Sequence, residues 1–213
     1  MGLNEQGFEI VRGVFSPGEV GALIANLPPL DGVAGTRTLL AHPIGQELIR
    51  DPRVLELARS CVGAHALAVR GILFDKQPGT NWVLGWHQDT KIAMRERREV
   101  PGYTAWSVKE GVPHCQPPVE VLEQCVAVRI HLDDCAADNG ALRVIPGSHL
   151  RGYHDDVDEQ QSLTLECRAG DVILMKPLTQ HASSKAVSPS HRRVIHIEWC
   201  GVPLADGLEW HFA

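Results

Sequence analysis

No apolar run in this sequence approaches the roughly 20 residues that cross a bilayer as a helix, and the opening MGLNEQGFEIVRG lacks the basic-then-apolar pattern of a secretory signal. These absences point to a cytoplasmic protein. No C-x-x-C pair occurs, and the six cysteines (Cys61, Cys115, Cys125, Cys135, Cys167, Cys200) are scattered. That excludes a zinc knuckle or a disulfide scaffold as the organising feature and leaves buried free thiols. An excess of positive charge is missing too. With 20 Lys and Arg against 26 Asp and Glu the formal net charge is -6, so no global field attracts nucleic acid or an anionic membrane. There is no internal repeat and no low-complexity segment.

What is present is an ordinary globular composition, 44% hydrophobic and 22% charged over 213 residues, which suits one domain spanning 1–213. Ser16-Pro17-Gly18-Glu19 combines an N-cap, a proline at the first helical position and a capping-box glutamate, and Val20, Leu23, Ile24 and Leu27 continue at helical spacing. The helix should end before Pro28-Pro29. Asp51-Pro52 opens a second helix through Val54, Leu55, Ala58 and Val62, with Gly63 as its stop. The part from about 1 to 65 therefore reads as helical.

From Ala66 the chain turns to short β-rich runs between turn residues, among them ALAVRGILF, NWVLGW, CVAVRIHLD, DVILM and RVIHIEW. In one, Val126, Val128, Ile130 and Leu132 share a face while Arg129 and His131 share the other. In the last, Ile195, Ile197 and Trp199 oppose Arg192, Val194, His196 and Glu198. Alternation alone leaves open whether the polar face meets solvent or lines a barrel lumen. Between about 90 and 118 an insertion interrupts the strands. Its length and its position suggest a lid.

His87 and Asp89, in WHQDT, are one residue apart, so on an extended segment both side chains leave the same face and reach one ion. A histidine from a distant strand would complete a facial triad, whose open face lets iron(II) bind a co-substrate and O2 together. An isolated H-x-D is weak evidence in a chain with 11 histidines and 26 acids. The context is more specific. NGALRVIPGSH (139–149), AGDVILMKPLTQHASS (169–184) and HRRVIHIEW (191–199), together with WHQDT, resemble the phytanoyl-CoA dioxygenase family of iron(II)/2-oxoglutarate oxygenases.

That resemblance implies a mainly β protein with N-terminal helices, a double-stranded β-helix or cupin-like jelly roll whose core spans about 66–200. It implies His87, Asp89 and His181 as metal ligands, Arg192 as the clamp on the far carboxylate of 2-oxoglutarate, and Ser183 as a second contact to it. Lys76 and Trp106 fall near other co-substrate contacts of the family. An arginine suits the clamp because its planar fork matches a carboxylate; a one-residue slip would put Arg193 there instead. His149, in PGSH, is the rival distal ligand, at a position the family reads as a strand-ending turn. His131 and His196 are candidates for the cavity wall.

The implied activity is hydroxylation of a small molecule with release of succinate and CO2, with Fe(II), 2-oxoglutarate and O2 required. A carboxylate at Asp89 favours hydroxylation over halogenation. The chain departs from the family in reading HASSKAV where an asparagine often follows the distal histidine, and it shows no extra element for gripping a coenzyme A carrier. The rival readings are a cupin-type metalloenzyme that does not use 2-oxoglutarate and a non-catalytic ligand-binding jelly roll. Lys91, Arg95, Arg97 and Arg98 cluster in the insertion of an otherwise acidic protein, which points to an acidic substrate, although such charges often do no more than solvate a surface.

Overall fold

The structure, a computed structural model, describes residues 2–30, 32–77, 79–187, 191–205 and 207–212. Among these residues the α-helices α1 (Leu3–Gln6), α2 (Pro17–Ala25), α3 (Pro43–Leu48), α4 (Pro52–Val62) and α5 (Val119–Glu123) lie mostly in the first third. The two expected from capping signals form as read. Ser16 and Glu19 close a reciprocal capping box at the start of α2, and the Asp51 side chain accepts from the backbone of Arg53 at the start of α4, which stops at Gly63 with φ +92°.

The strands are β1 (Phe8–Val11), β2 (Gly35–Thr36), β3 (Leu67–Lys76), β4 (Leu84–His87), β5 (Ile92–Ala93), β6 (Thr104–Lys109), β7 (Val112–Gln116), β8 (Cys125–His131), β9 (Leu142–Val144), β10 (Leu163–Leu165), β11 (Val172–Met175), β12 (His181–Ser183) and β13 (Arg192–Cys200). A six-stranded sheet in the order β1-β11-β8-β13-β3-β2 faces a four-stranded sheet in the order β10-β9-β12-β4, with antiparallel pairing throughout. This is the expected jelly roll. The N-terminal part is less purely helical than its capping signals suggest, because β1 and β2 form the two edges of the large sheet. Both are too short to display an alternation that a sequence reading can use.

The alternation left open above is resolved by what covers each face. Val126, Val128, Ile130, Ile195 and Ile197 are each 0% exposed and pack with Leu48, Val54 and Ala58 of the helices. Fully burying each such side chain stabilises the fold by about 1.5–3 kcal/mol. The opposite face, carrying Arg129, His196 and Glu198, is also buried, so it is a lumen and not a solvated surface. Register holds this arrangement: Ile195 lies opposite Ile130 and His196 opposite Arg129, and a one-residue slip would turn the charges into the apolar layer.

The insertion is folded. β5, β7 and β6 form a third antiparallel sheet, over a core of Ile92, Met94, Tyr103, Cys115, Leu208 and Trp210, and Met94 bridges to Trp210 near the C-terminus. Its basic cluster does not act as one unit. Arg95 pairs with Glu209, Arg97 with Glu99 and Arg98 with Glu96, all on exposed surface. All six cysteines are free, five of them buried. Among the described residues no helix is long and apolar enough to cross a membrane.

Candidate metal centre and co-substrate pocket

β4 and β12 are neighbours, with His87 directly opposite His181, so two imidazoles meet across one strand pair at a ring-centroid distance of 4.1 Å. Asp89 follows two residues after His87 on the same face, where its backbone N–H donates to Pro177 O at 2.9 Å. Gln88, between them, points the other way: its Nε2 donates to Gly152 O at 2.9 Å and Leu178 O at 2.7 Å, and its Oε1 accepts from the His154 N–H at 3.2 Å. The three bonds pin the segment that carries both ligands.

His87 Nε2 lies 3.7 Å from Asp89 Oδ1, and His181 Nε2 lies 3.6 Å from Asp89 Oδ2. Adjacent donors on a metal with bonds of about 2.1 Å are roughly 3 Å apart, so small side-chain adjustments suffice to close the set on an ion. The orientation of the rings suits that role. His87 Nδ1 is 2.8 Å from Gly85 O and His181 Nδ1 is 2.9 Å from Thr179 O. A carbonyl can only accept, so each Nδ1 carries the proton and each Nε2 lone pair faces the other ligands. Burial drives the pKa of His181 down to about 4, which keeps the ring neutral, as a ligand must be. Burial opposes ionisation of Asp89, yet the surrounding histidines and Arg70 hold its carboxyl well below the usual range.

Asp89, His196 and Glu198 form a second close set of possible donors. Its other two members are engaged elsewhere: Glu198 pairs with Arg70, His196 Nε2 is 3.1 Å from Glu198 Oε1, and Arg129 Nη1 is 2.8 Å from His196 Nδ1. The His87, Asp89 and His181 set keeps its lone pairs free.

Further along the same lumen, Arg192 is 4% exposed. Its Nη1 donates to Gly140 O at 2.5 Å and to Ser183 Oγ at 3.4 Å, while its Nε is a buried donor without a partner. Lys76, opposite Arg192 in register, donates to Ser183 Oγ at 2.8 Å and to Ser184 O at 2.5 Å. Burial, aided by the Arg192 charge, lowers its pKa to about 8. Two buried cations and a hydroxyl with no carboxylate among them are an arrangement that could receive one. Arg193 does not line the lumen: its guanidinium and backbone N–H are held by Asp133, at 2.6–2.8 Å.

His87, Asp89, His181, Ser183, Lys76 and Arg192 thus line one cavity of about 520 Å³, with His196. Trp106 does not line it; it packs in the core of the third sheet, under Arg97. His149 is also elsewhere, hydrogen-bonded to Asn4 O beside α1. His131 is buried beside the lumen with neither ring nitrogen partnered. Gln88, Gly140, Arg70 and Lys109 were not read from the sequence. The alternation of β13 carried a signal for Glu198 and so for its partner, whereas the others depend on contacts between segments distant in the chain.

The model of the family described as phytanoyl-CoA dioxygenase matches residues 3–194. A dioxygenase, himG, of Aspergillus japonicus is 42% identical over 59 residues, covering 28% of this chain and 18% of its own length, so the match spans less than a fifth of that relative. An ectoine dioxygenase of Bordetella parapertussis is 24% identical over 230 aligned positions, covering 86% of this chain and 68% of its own. HygX from Streptomyces hygroscopicus, solved with nickel and 2-oxoglutarate bound, superposes with a TM-score of 0.65 at 18% identity, over 93% of this chain and 84% of that one. This last likeness is one of fold.

Proposed function

The chain belongs to the phytanoyl-CoA dioxygenase family, and from that membership we propose that it is an iron(II)- and 2-oxoglutarate-dependent oxygenase that hydroxylates a small molecule, releasing succinate and CO2. The observation that carries the reading is the pairing, in one lumen, of a two-histidine, one-carboxylate set with a buried cationic receptor for a second carboxylate.

His87, Asp89 and His181 would hold iron(II) on one face and leave the other open to the lumen. When bound there, the metal would supply O2 activation coupled to decarboxylation of the keto acid. Arg192, through its unpartnered Nε and its Nη atoms, orients the far carboxylate, and Ser183 and Lys76 share that load. His181, Ser183, Lys76 and Arg192 are buried, which limits water at the co-substrate end of the lumen, while His87 and Asp89 stay partly open to it. Trp106, placed near the co-substrate by family resemblance, is assigned no contact here. The sheet formed by 90–118 contributes Thr90, Lys91 and Lys109 to one rim of the cavity, in keeping with a role in admitting substrate.

Anaerobic addition of Fe(II) and then 2-oxoglutarate tests the reading. Chelation of the metal by the keto acid gives a weak visible charge-transfer band. A cupin-type enzyme that does not use 2-oxoglutarate binds the metal and gives no such band, and a non-catalytic jelly roll releases no succinate in air.

A further inference from the structure

Arg192 and Lys76 are not the only cations in the cavity wall. Arg192 and Glu198 are separated by about 20 Å of strand at the usual rise per residue, and a second group of positive charges gathers on the Glu198 side of the metal ligands. Arg37, Lys91 and Lys109 line the cavity there. Their partners differ in a way that matters. Arg37 Nη1 meets Glu110 Oε1 at 2.9 Å, and the neighbouring Arg70 is matched by Glu198. Lys91 donates to the neutral carbonyl of Ala105, and among the described residues neither Lys91 nor Lys109 has an ion-pair partner.

Lys109 is partly buried, and its ammonium is disfavoured first by that burial and then by Arg37, Arg70 and Lys91, with Asp89 the one opposing charge. Asp89 is committed to the metal set. In a chain of net charge -6, unneutralised cations converging inside a cavity repel one another and are tolerated where an anion completes them. The co-substrate does not supply that anion, because its two carboxylates are accounted for at the metal and at Arg192.

We infer that the substrate carries an anionic head, a carboxylate or a phosphate, which Lys91 and Lys109 hold at the rim opposite Arg192 while the rest of the molecule extends toward the metal set. This rests on the oxygenase reading of the site. It also moves the expected acidic-substrate contact from Arg95, Arg97 and Arg98, whose charges are met by glutamates on the outer surface, to side chains that reach the cavity.

The probes are benzoate, phenyl phosphate and uncharged benzamide, titrated anaerobically into protein saturated with Fe(II) and 2-oxoglutarate, so that Arg192 is already occupied. Binding is read from tryptophan fluorescence, because Trp82 lines the cavity. At least one anion should saturate, more weakly as salt rises, while benzamide should not. Whichever anion binds more tightly identifies the head as carboxylate or phosphate. Lys91→Met with Lys109→Met should weaken the anion by about tenfold or more, and Arg97→Gln with Arg98→Gln should leave it unchanged. Lys91 also supports β6 through Ala105, so Lys109→Gln alone is the second variant: a loss of about threefold or more is expected, with Lys109→Arg restoring binding. Benzamide binding as well as the acids, or Lys109→Gln binding like wild type, would overturn the inference. Absence of the charge-transfer band in the wild-type protein defeats the oxygenase reading itself. A normal band with no anion preference defeats only this one.

Discussion

Replacing Arg192 with alanine removes the buried cation whose Nε has no partner within the protein and leaves Lys76 alone at that end of the lumen. Truncating one side of a buried, hydrogen-bonded charge pair costs about 2–5 kcal/mol. The lower half of that range is expected here, because Lys76 and Ser183 remain bonded to each other at 2.8 Å and retain part of the receptor. At 1.4 kcal/mol per decade, 2–3.5 kcal/mol corresponds to roughly a 30- to 300-fold rise in the Kd for 2-oxoglutarate. Fold stability should change little: the bond lost to Gly140 O contributes about 1 kcal/mol, and its removal also relieves a buried charge next to Lys76. The assay is an anaerobic 2-oxoglutarate titration of the Fe(II) protein followed by its visible band, with Fe(II) affinity measured separately without the keto acid. Iron affinity should be unaltered. A Kd within threefold of wild type, or Arg193→Ala reproducing the defect, would refute the assignment, since Arg193 is held away from the lumen by Asp133.

Asp89→Ala should remove metal-dependent turnover with the fold retained, as checked by circular dichroism and succinate release. Gln88→Ala, which touches no ion but frees the H-x-D segment from Gly152 and Leu178, should weaken Fe(II) binding by about 10-fold or more, measurable by competition with a chelator. Gly140 sits at φ +66°, and a Cβ there would lie 2.6 Å from Ser184 O and 3.3 Å from Lys76 Nζ. Gly140→Ala should therefore cost about 1–2 kcal/mol in urea unfolding and weaken 2-oxoglutarate binding as well. Burial lowers the pKa of His131 to about 3, so between pH 6.5 and that value the unfolded chain takes up a proton that the folded protein refuses. Stability from this residue is lost as pH falls, by up to about 1.4 kcal/mol per pH unit. His131→Leu should flatten the stability-against-pH curve in that window, and an unchanged slope would contradict the buried, unpartnered placement.

The sequence alone determined whatever depends on local spacing or on the order of motifs. The capping box at Ser16 and the N-cap at Asp51 act over a few residues, so α2 and α4 were legible. The H-x-D pair is a statement about strand periodicity, and the ordered runs through His181 and Arg192 carried the family likeness and hence the jelly roll. Alternation in β8 and β13 told which residues share a face, but not whether the polar face met water. Only the second sheet, closing over it, made it a lumen. Tertiary structure likewise shows Arg192 facing the lumen and Arg193 held outside it by Asp133, and it packs Trp106 into the sheet of the insertion. It paired Arg95, Arg97 and Arg98 of the insertion's basic cluster with glutamates and left Lys91, joined by Lys109, on the cavity wall. Charge runs are visible along a chain, whereas neutralisation is a property of neighbours in space: Glu209, which meets Arg95, is about a hundred residues away, and Arg37 and Arg70, which crowd Lys109, are about seventy and about forty away.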